Sequence, residues 1–348
     1  MNLYDSMPTS DDKAVWDAWL SMHYLPAVTV ADELGIFKSL LESPAGADEF
    51  AQRMGFNDRA TRATLRLLAS LGFLQQRLGK YQLKDAARLY LLKDSPFYWG
   101  HMLGNRMPQA ERLRDCLQNK RPTWRPGSPN EPKSDTGGSV DAWSAGKVDL
   151  ERGRRVAAAM QSHSLPAAIA FARNGDFAGT TRFLDVGGGS GCFAIALARQ
   201  HPEVHCAIME LQTMCDVAQE YIRDGGVEGR VDTVAVDMFR EPWPTTYDAL
   251  FFSNVYHDWD FETCDWLTAR AFEALPSGGR IMLHEMLLDD DGDGPVTAAS
   301  FSMLMLLGTQ GQQFTLPELK RMLEGAGFTN VGAKHSYGYY SLVTATKP

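Results

Sequence analysis

The chain has 348 residues, 44% of them hydrophobic and 22% charged, with a formal net charge of −9. That length suggests about two domains and the composition is that of a soluble globular protein. The acidic balance disfavours a nucleic-acid partner, whose phosphates want a positive surface.

Near the N-terminus, "AVWDAWLSMHYLPAVTVADELGIFKSLL" carries apolar residues at helical spacing, with Pro26 as an internal kink or break. "GADEFAQRMG" and "NDRATRATLRLLASLG" predict two short helices, the second opened by Asn57 or Asp58 and closed by Gly72. "FLQQRLGKYQL" predicts two strands turning at Leu78-Gly79-Lys80. Helix, helix, hairpin is the outline of a winged helix, placed at residues 1–105. Residues 106–180 are expected to hold a Pro-rich loop, "NKRPTWRPGSPNEPKSDTGG", and helices such as "RVAAAMQSHSLPAAIAFARNG". From 181 to 348 apolar strands alternate with helices, which indicates a parallel sheet covered on both faces. Five cysteines (Cys116, Cys192, Cys206, Cys215, Cys264) form no C-x-x-C pair and read as reduced thiols. The polar, acidic N-terminus is not a signal peptide, and no apolar run reaches the roughly 18 residues of a membrane span. A cytoplasmic location is the expectation.

In "RFLDVGGGSGCFAIALARQHP" a strand ends at Asp185, a turn of glycines follows, and a helix begins. This places backbone amides at a helix N-terminus on the carboxyl edge of a sheet, where open α/β proteins bind nucleotides. Gly187, Gly189 and Gly191 permit positive φ and close approach of a ligand. The dinucleotide pattern G-x-G-x-x-G/A fails, because Cys192 stands at its sixth position, and no G-K-[ST] follows as in a P-loop. A carboxylate just before the turn suits a ligand with an ammonium group and a sulfonium centre. The next strand ends place Glu210 near a ribose, Asp237 near an adenine amine, and Met238 against the ring.

Together, "FLDVGGGSG", "VDMF", "VYHDWD", "LPSGGRIMLHEML" and "LKRMLEGAGF" resemble the S-adenosylmethionine (SAM)-dependent small-molecule O-methyltransferases of the caffeate and acetylserotonin type, with many bacterial natural-product enzymes among them. The resemblance spans nearly the whole chain. It implies a class I methyltransferase fold of the α/β class, a Rossmann-like seven-stranded sheet with an antiparallel last strand, and an N-terminal winged-helix domain that forms a homodimer. It implies a cofactor set of Asp185, Gly187, Gly189, Glu210, Leu211, Asp237, Met238, Phe239, Ser253 and Trp259, the last by stacking on adenine. His257 would be the general base toward an acceptor hydroxyl, backed by Glu285. A phenol ionises near pH 10, so a positioned imidazole helps at neutral pH.

Two positions depart from the plant enzymes. Ser253 stands where they carry a cofactor-contacting lysine, and Gln313 where they carry a second base-flanking glutamate. Acceptor-lining candidates are Met160, His163, Asp258, Phe301, Met305 and Leu306. A related subset methylates carbon with a metal held by the same His-Asp pair and a further histidine; "SFSMLMLLGTQGQQF" has none, and His284 alternates with Glu285 along its strand, so no metal is expected. The expected partner is a small, phenolic acceptor, with neither nucleic acid nor membrane. C- or N-methylation, or a SAM-binding regulator without turnover, are the alternatives. Residues 1–105 carry eleven basic against twelve acidic side chains, so dimerisation is favoured over DNA binding, with Arg59, Arg62 and Arg66 as a solvated or ion-paired face.

Overall fold

The computed structural model describes Tyr4 and residues 7–103, 108–120 and 149–348. The expected kink or break takes the form of a break, with α1 (Lys13–Leu20), a 3-10 turn (Ser21–His23) and α2 (Tyr24–Glu33) in succession. Pro26 sits in the first turn of α2, where a missing N–H breaks no helical bond. α3 (Ile36–Glu42), α4 (Ala47–Met54) and α5 (Asp58–Ser70) follow. Asn57 caps α5 by accepting from Ala60 N at 3.0 Å, and Gly72, at φ 84°, turns the chain away from its end. β1 (Leu74–Arg77) and β2 (Lys80–Leu83) pair antiparallel across Leu78 and Gly79, both at positive φ as a two-residue hairpin requires. The winged-helix outline is therefore present, closed over buried Ile36, Phe37, Leu40, Phe50, Leu65, Leu68 and Leu74. α6 (Asp85–Tyr90), α7 (Gly100–Leu103) and α8 (Pro108–Leu117) come next. The expected Pro-rich loop lies, from Arg121 on, outside the described residues.

α9 (Leu150–Asn174) leads into β3 (Arg182–Val186), α10 (Cys192–Gln200), β4 (His205–Glu210), α11 (Gln212–Gly225), β5 (Val231–Ala235), β6 (Ala249–Ser253), α12 (Phe261–Ala274) and β7 (Arg280–Met286). After α13 (Val296–Gly308) and α14 (Leu316–Gly325), the hairpin of β8 (Thr329–Tyr337) and β9 (Tyr340–Thr346) ends the chain. Among the described residues these make a seven-stranded sheet in the order β5-β4-β3-β6-β7-β9-β8. β3 to β7 run parallel, and β9 pairs antiparallel with both β7 and β8. The order reverses at β3, and ligands of such sheets settle in the crevice beyond the carboxyl ends at that point. β3, β6 and β7 are buried over nearly their full lengths, as strands covered on both faces must be. Phe171 of α9 anchors this core against Phe183, Phe193 and Phe251, with ring centroids 4.6–6.2 Å away.

Two compact units emerge, with boundaries that differ from those at 105 and 180. One takes Met1–Lys13, Lys133–Met286 and Pro317–Pro348, and the other Ala14–Pro132 and Leu287–Leu316. The middle region forms no unit of its own, since α8 belongs to the second unit and α9 to the first. α13 returns to the second unit by packing on α5, a long-range pairing that composition cannot reveal. The α5 arginines explain part of this. Arg59 donates to Gly311 O (3.0 and 2.6 Å) and Met305 O (2.7 Å), satisfying carbonyls at and beyond the end of α13. Arg62 pairs with Asp48 at 2.7 Å. Arg62 therefore fits the expected ion-paired face, whereas Arg59 caps a helix. Removing a charged donor from several acceptors costs about 1.5–3 kcal/mol. Arg59→Ala should accordingly lower the calorimetric melting temperature by several degrees, and an unchanged melt would refute this role.

Candidate active site

Each parallel strand delivers one chemical group to the carboxyl edge. After β3 the chain turns through Gly187–Gly191 into α10. Gly191 precedes that helix at φ 75°, and a Cβ there would collide with Ile208, so both conformation and space demand glycine. Gly189 is also left-handed, at φ 58°, and a Cβ there would meet no protein atom within 4 Å.

Asp185 is 1% exposed, and its Oδ2 has no hydrogen-bond partner among the described residues. Burial pushes its carboxyl up to about 7, against the help of the Ala194 amide and with a further push from the Glu210 charge. Glu210 accepts from Gly189 N at 3.2 Å and Leu211 N at 3.0 Å, and burial raises its pKa too. An orphaned, buried carboxylate oxygen beside an open glycine turn fits a ligand bearing cationic and hydroxyl groups, as SAM does.

Asp237 lies two residues past β5, where its Oδ1 accepts from Phe239 N at 2.9 Å. Met238 gives its carbonyl to Trp243 Nε1. Phe239 meets Trp259 edge-on at 4.6 Å and stacks on Trp266 at 5.8 Å, so both expected aromatics stand in one cluster. Trp266, one turn into α12, is a member the sequence did not single out.

Past β6, His257 sits in a 3-10 turn (Tyr256–Asp258) and is 4% exposed. Its Nδ1 lies 2.8 Å from Glu285 Oε2, while Glu285 Oε1 accepts from Tyr256 N at 3.1 Å. The two residues are 28 apart in sequence, and the parallel pairing of β6 with β7 brings them together. A carboxylate on Nδ1 fixes the proton there and leaves Nε2 as the basic nitrogen. Asp258 Oδ1 is 3.9 Å from that Nε2. Burial alone would lower the imidazole pKa; the Glu285 charge, its hydrogen bond and Asp258 outweigh it, and the pKa is raised.

Ser253 is not turned toward this group. Its hydroxyl lies 3.2 Å from His284 Nδ1, and His284 Nε2 lies 3.0 Å from Ser336 Oγ. His284 stacks on Tyr340 and packs among Phe193 and Phe251, on the side of β7 away from Glu285, as the strand alternation predicts. Asn254, which the sequence reading passed over, adopts φ 56° and holds a buried Oδ1 without a partner among the described residues.

Of the acceptor-lining candidates, His163 on α9 feels His257. Burial and then the His257 charge push it down to about 4, so it stays neutral. Met160 is 46% exposed. Phe301, Met305 and Leu306 are buried on α13, in the other unit, where Phe301 packs on Trp16. Gln313, in that unit too, is fully buried, and neither polar atom of its side-chain amide has a partner among the described residues.

Two family models match the chain, an O-methyltransferase domain over residues 113–329 and an O-methyltransferase dimerisation domain over residues 16–93. The chain is 34% identical over 308 residues to the 3-hydroxy-5-methyl-1-naphthoate 3-O-methyltransferase of Streptomyces sahachiroi, covering 87% of this chain and 86% of that one. It is 28% identical over 326 residues to the N,N-dimethyltransferase OxyT of Streptomyces rimosus, covering 92% of each. Among solved structures, an O-methyltransferase family 2 protein from Planctomyces limnophilus in complex with apigenin superposes with a TM-score of 0.84 at 25% identity, covering 100% of this chain and 99% of that one.

Proposed function

The chain belongs to the O-methyltransferase family, and we propose that it methylates a hydroxyl of a small aromatic metabolite with His257 as general base. Its cofactor is SAM, which supplies an electrophilic methyl group on a sulfonium. The observation that carries the reading is the buried His257–Glu285 pair on the same sheet edge as the orphaned Asp185 carboxylate.

The residues divide the work. Asp185 and Glu210 hold cationic and hydroxyl groups of the cofactor at the glycine turn. His257 Nε2 takes the acceptor proton as the oxygen gains its methyl group. Glu285 keeps the tautomer and stabilises the imidazolium that results. The naphthoate 3-O-methyltransferase relative and the neighbour in complex with apigenin support an aromatic, hydroxylated acceptor. A second copy of the chain is the macromolecular partner, since the region matched by the dimerisation model exposes Trp19, Met22 and Leu25. No helix among the described residues is long and apolar enough to cross a membrane.

The test is incubation with methyl-labelled SAM and a panel of hydroxynaphthoates and flavonoid phenols, with products read by mass spectrometry. A labelled methyl ether is expected. Label on nitrogen or carbon would replace this reading with the alternative chemistry that the OxyT likeness keeps open. No labelled product with a panel that includes amines would point to a binding protein.

A further inference from the structure

We propose that Tyr4 and Gln161 are working parts of the cofactor site, positioning residues that fix the glycine turn through Ser190. This rests on the cofactor reading above and adds residues that neither the motifs nor the family likeness singled out.

Ser190 is the fourth residue of the turn and is 2% exposed. Its hydroxyl donates to Gln161 Oε1 at 2.6 Å, and Gln161 Nε2 donates to Tyr4 Oη at 3.3 Å. Tyr4 is no loose end. Burial, and then the neighbouring Cys192, raise its phenol far above the ordinary value, and Tyr221 and Arg199 are close enough to act on it. The ring thus lies among α9, α10 and α11, with its hydroxyl kept protonated. Farther along, the same segment is tied to the β8–β9 turn. Tyr337 donates to Ser10 O at 3.3 Å, and Lys13 lies over the Tyr339 ring at 5.4 Å from its centroid. Asp12 comes so close to Gly338 that a Cβ there would clash with its carboxylate. Tyr4 is therefore anchored at the glycine turn, and Ser10, Asp12 and Lys13 at the far edge of the sheet, within the unit that carries Asp185 and His257.

The consequence concerns the turn's conformation. Three of its glycines stand at positive φ, a freedom that must be removed before backbone amides can serve as a preformed ligand site. Glu210 fixes Gly189, and the backbone of Met209 fixes Gly187. Ser190 is fixed by a side-chain chain that starts at Tyr4. Loss of one neutral hydrogen bond in that chain corresponds to about a three- to tenfold change in an equilibrium constant.

Tyr4→Phe, Gln161→Leu and the double variant would be titrated with S-adenosylhomocysteine by calorimetry, alongside melts and steady-state kinetics. Each single variant is expected to weaken that binding about three- to tenfold. KM for SAM should rise in step, with kcat and the acceptor KM unchanged. The double variant should be no weaker than Gln161→Leu, because both changes cut one chain. Wild-type affinity in folded single variants overturns the proposal, and so does a fall in melting temperature with no change in affinity. Failure of the wild-type protein to bind S-adenosylhomocysteine overturns the cofactor reading itself, an outcome distinct from variants that match a binding wild type.

Discussion

Replacing His257 with alanine is expected to slow methyl transfer about a hundred- to ten-thousandfold while leaving S-adenosylhomocysteine affinity unchanged. The size follows from the imidazole's surroundings. It is 4% exposed, and its Nδ1 is committed to Glu285, which is itself 1% exposed and held by the Tyr256 amide. Alanine leaves that carboxylate buried and removes the imidazole that would take the acceptor proton. The same pair sets the pH dependence. The base must be neutral to act, and its pKa is raised above the ordinary histidine value of about 6.5. Activity should therefore be lost as pH falls through that raised value, with the acid limb of kcat/KM lying on the alkaline side of 6.5. Rates for wild type and variant across pH 5–9 measure both effects. A variant with near-wild-type turnover would show that proximity alone drives the reaction.

The glycine turn and the alternation of strands with helices were readable because their causes are local. A strand, a cluster of glycines and an Ala/Leu helix leave few arrangements, and alternating apolar strands and helices force a covered parallel sheet. Glu285 is different. Only the family resemblance placed it beside His257, since nothing in the 28-residue gap announces that β6 and β7 are neighbours. Ser253 meets the same limit. Matching a family lysine gives a position along the strand, whereas the side its hydroxyl takes is settled by His284, one strand away. The return of α13 to the winged-helix unit, and the reach of Tyr4 to Gln161 across 157 positions, are tertiary contacts with no local signal. Pro26 shows the reverse case. A rule about proline inside helices applied correctly, and the helix began two residues before it.

Cofactor binding should release a proton, and Asp185 is the residue to follow. Burial pushes its carboxyl up to about 7, so at neutral pH roughly half of the ligand-free molecules carry a proton there. A ligand with a positive charge near Oδ2 favours the ionised form and lowers that pKa in the complex. The sign then follows. Above pH 7 the carboxylate is already charged and affinity is full; below it, binding must first expel a proton, and affinity falls by up to about tenfold per pH unit. Calorimetric titration with SAM at pH 6.5 in buffers of different ionisation enthalpy should give heats that differ by the buffer's share of that proton. Asp185→Asn preserves shape and removes the charge. It should bind about ten- to a hundredfold more weakly at pH 8, as loss of a charged hydrogen bond implies, and with an affinity that no longer varies between pH 6 and 8. Equal heats in both buffers for the wild-type protein would mean that Asp185 is already ionised before the ligand arrives, and that its partnerless oxygen is not where the cofactor's charge is met.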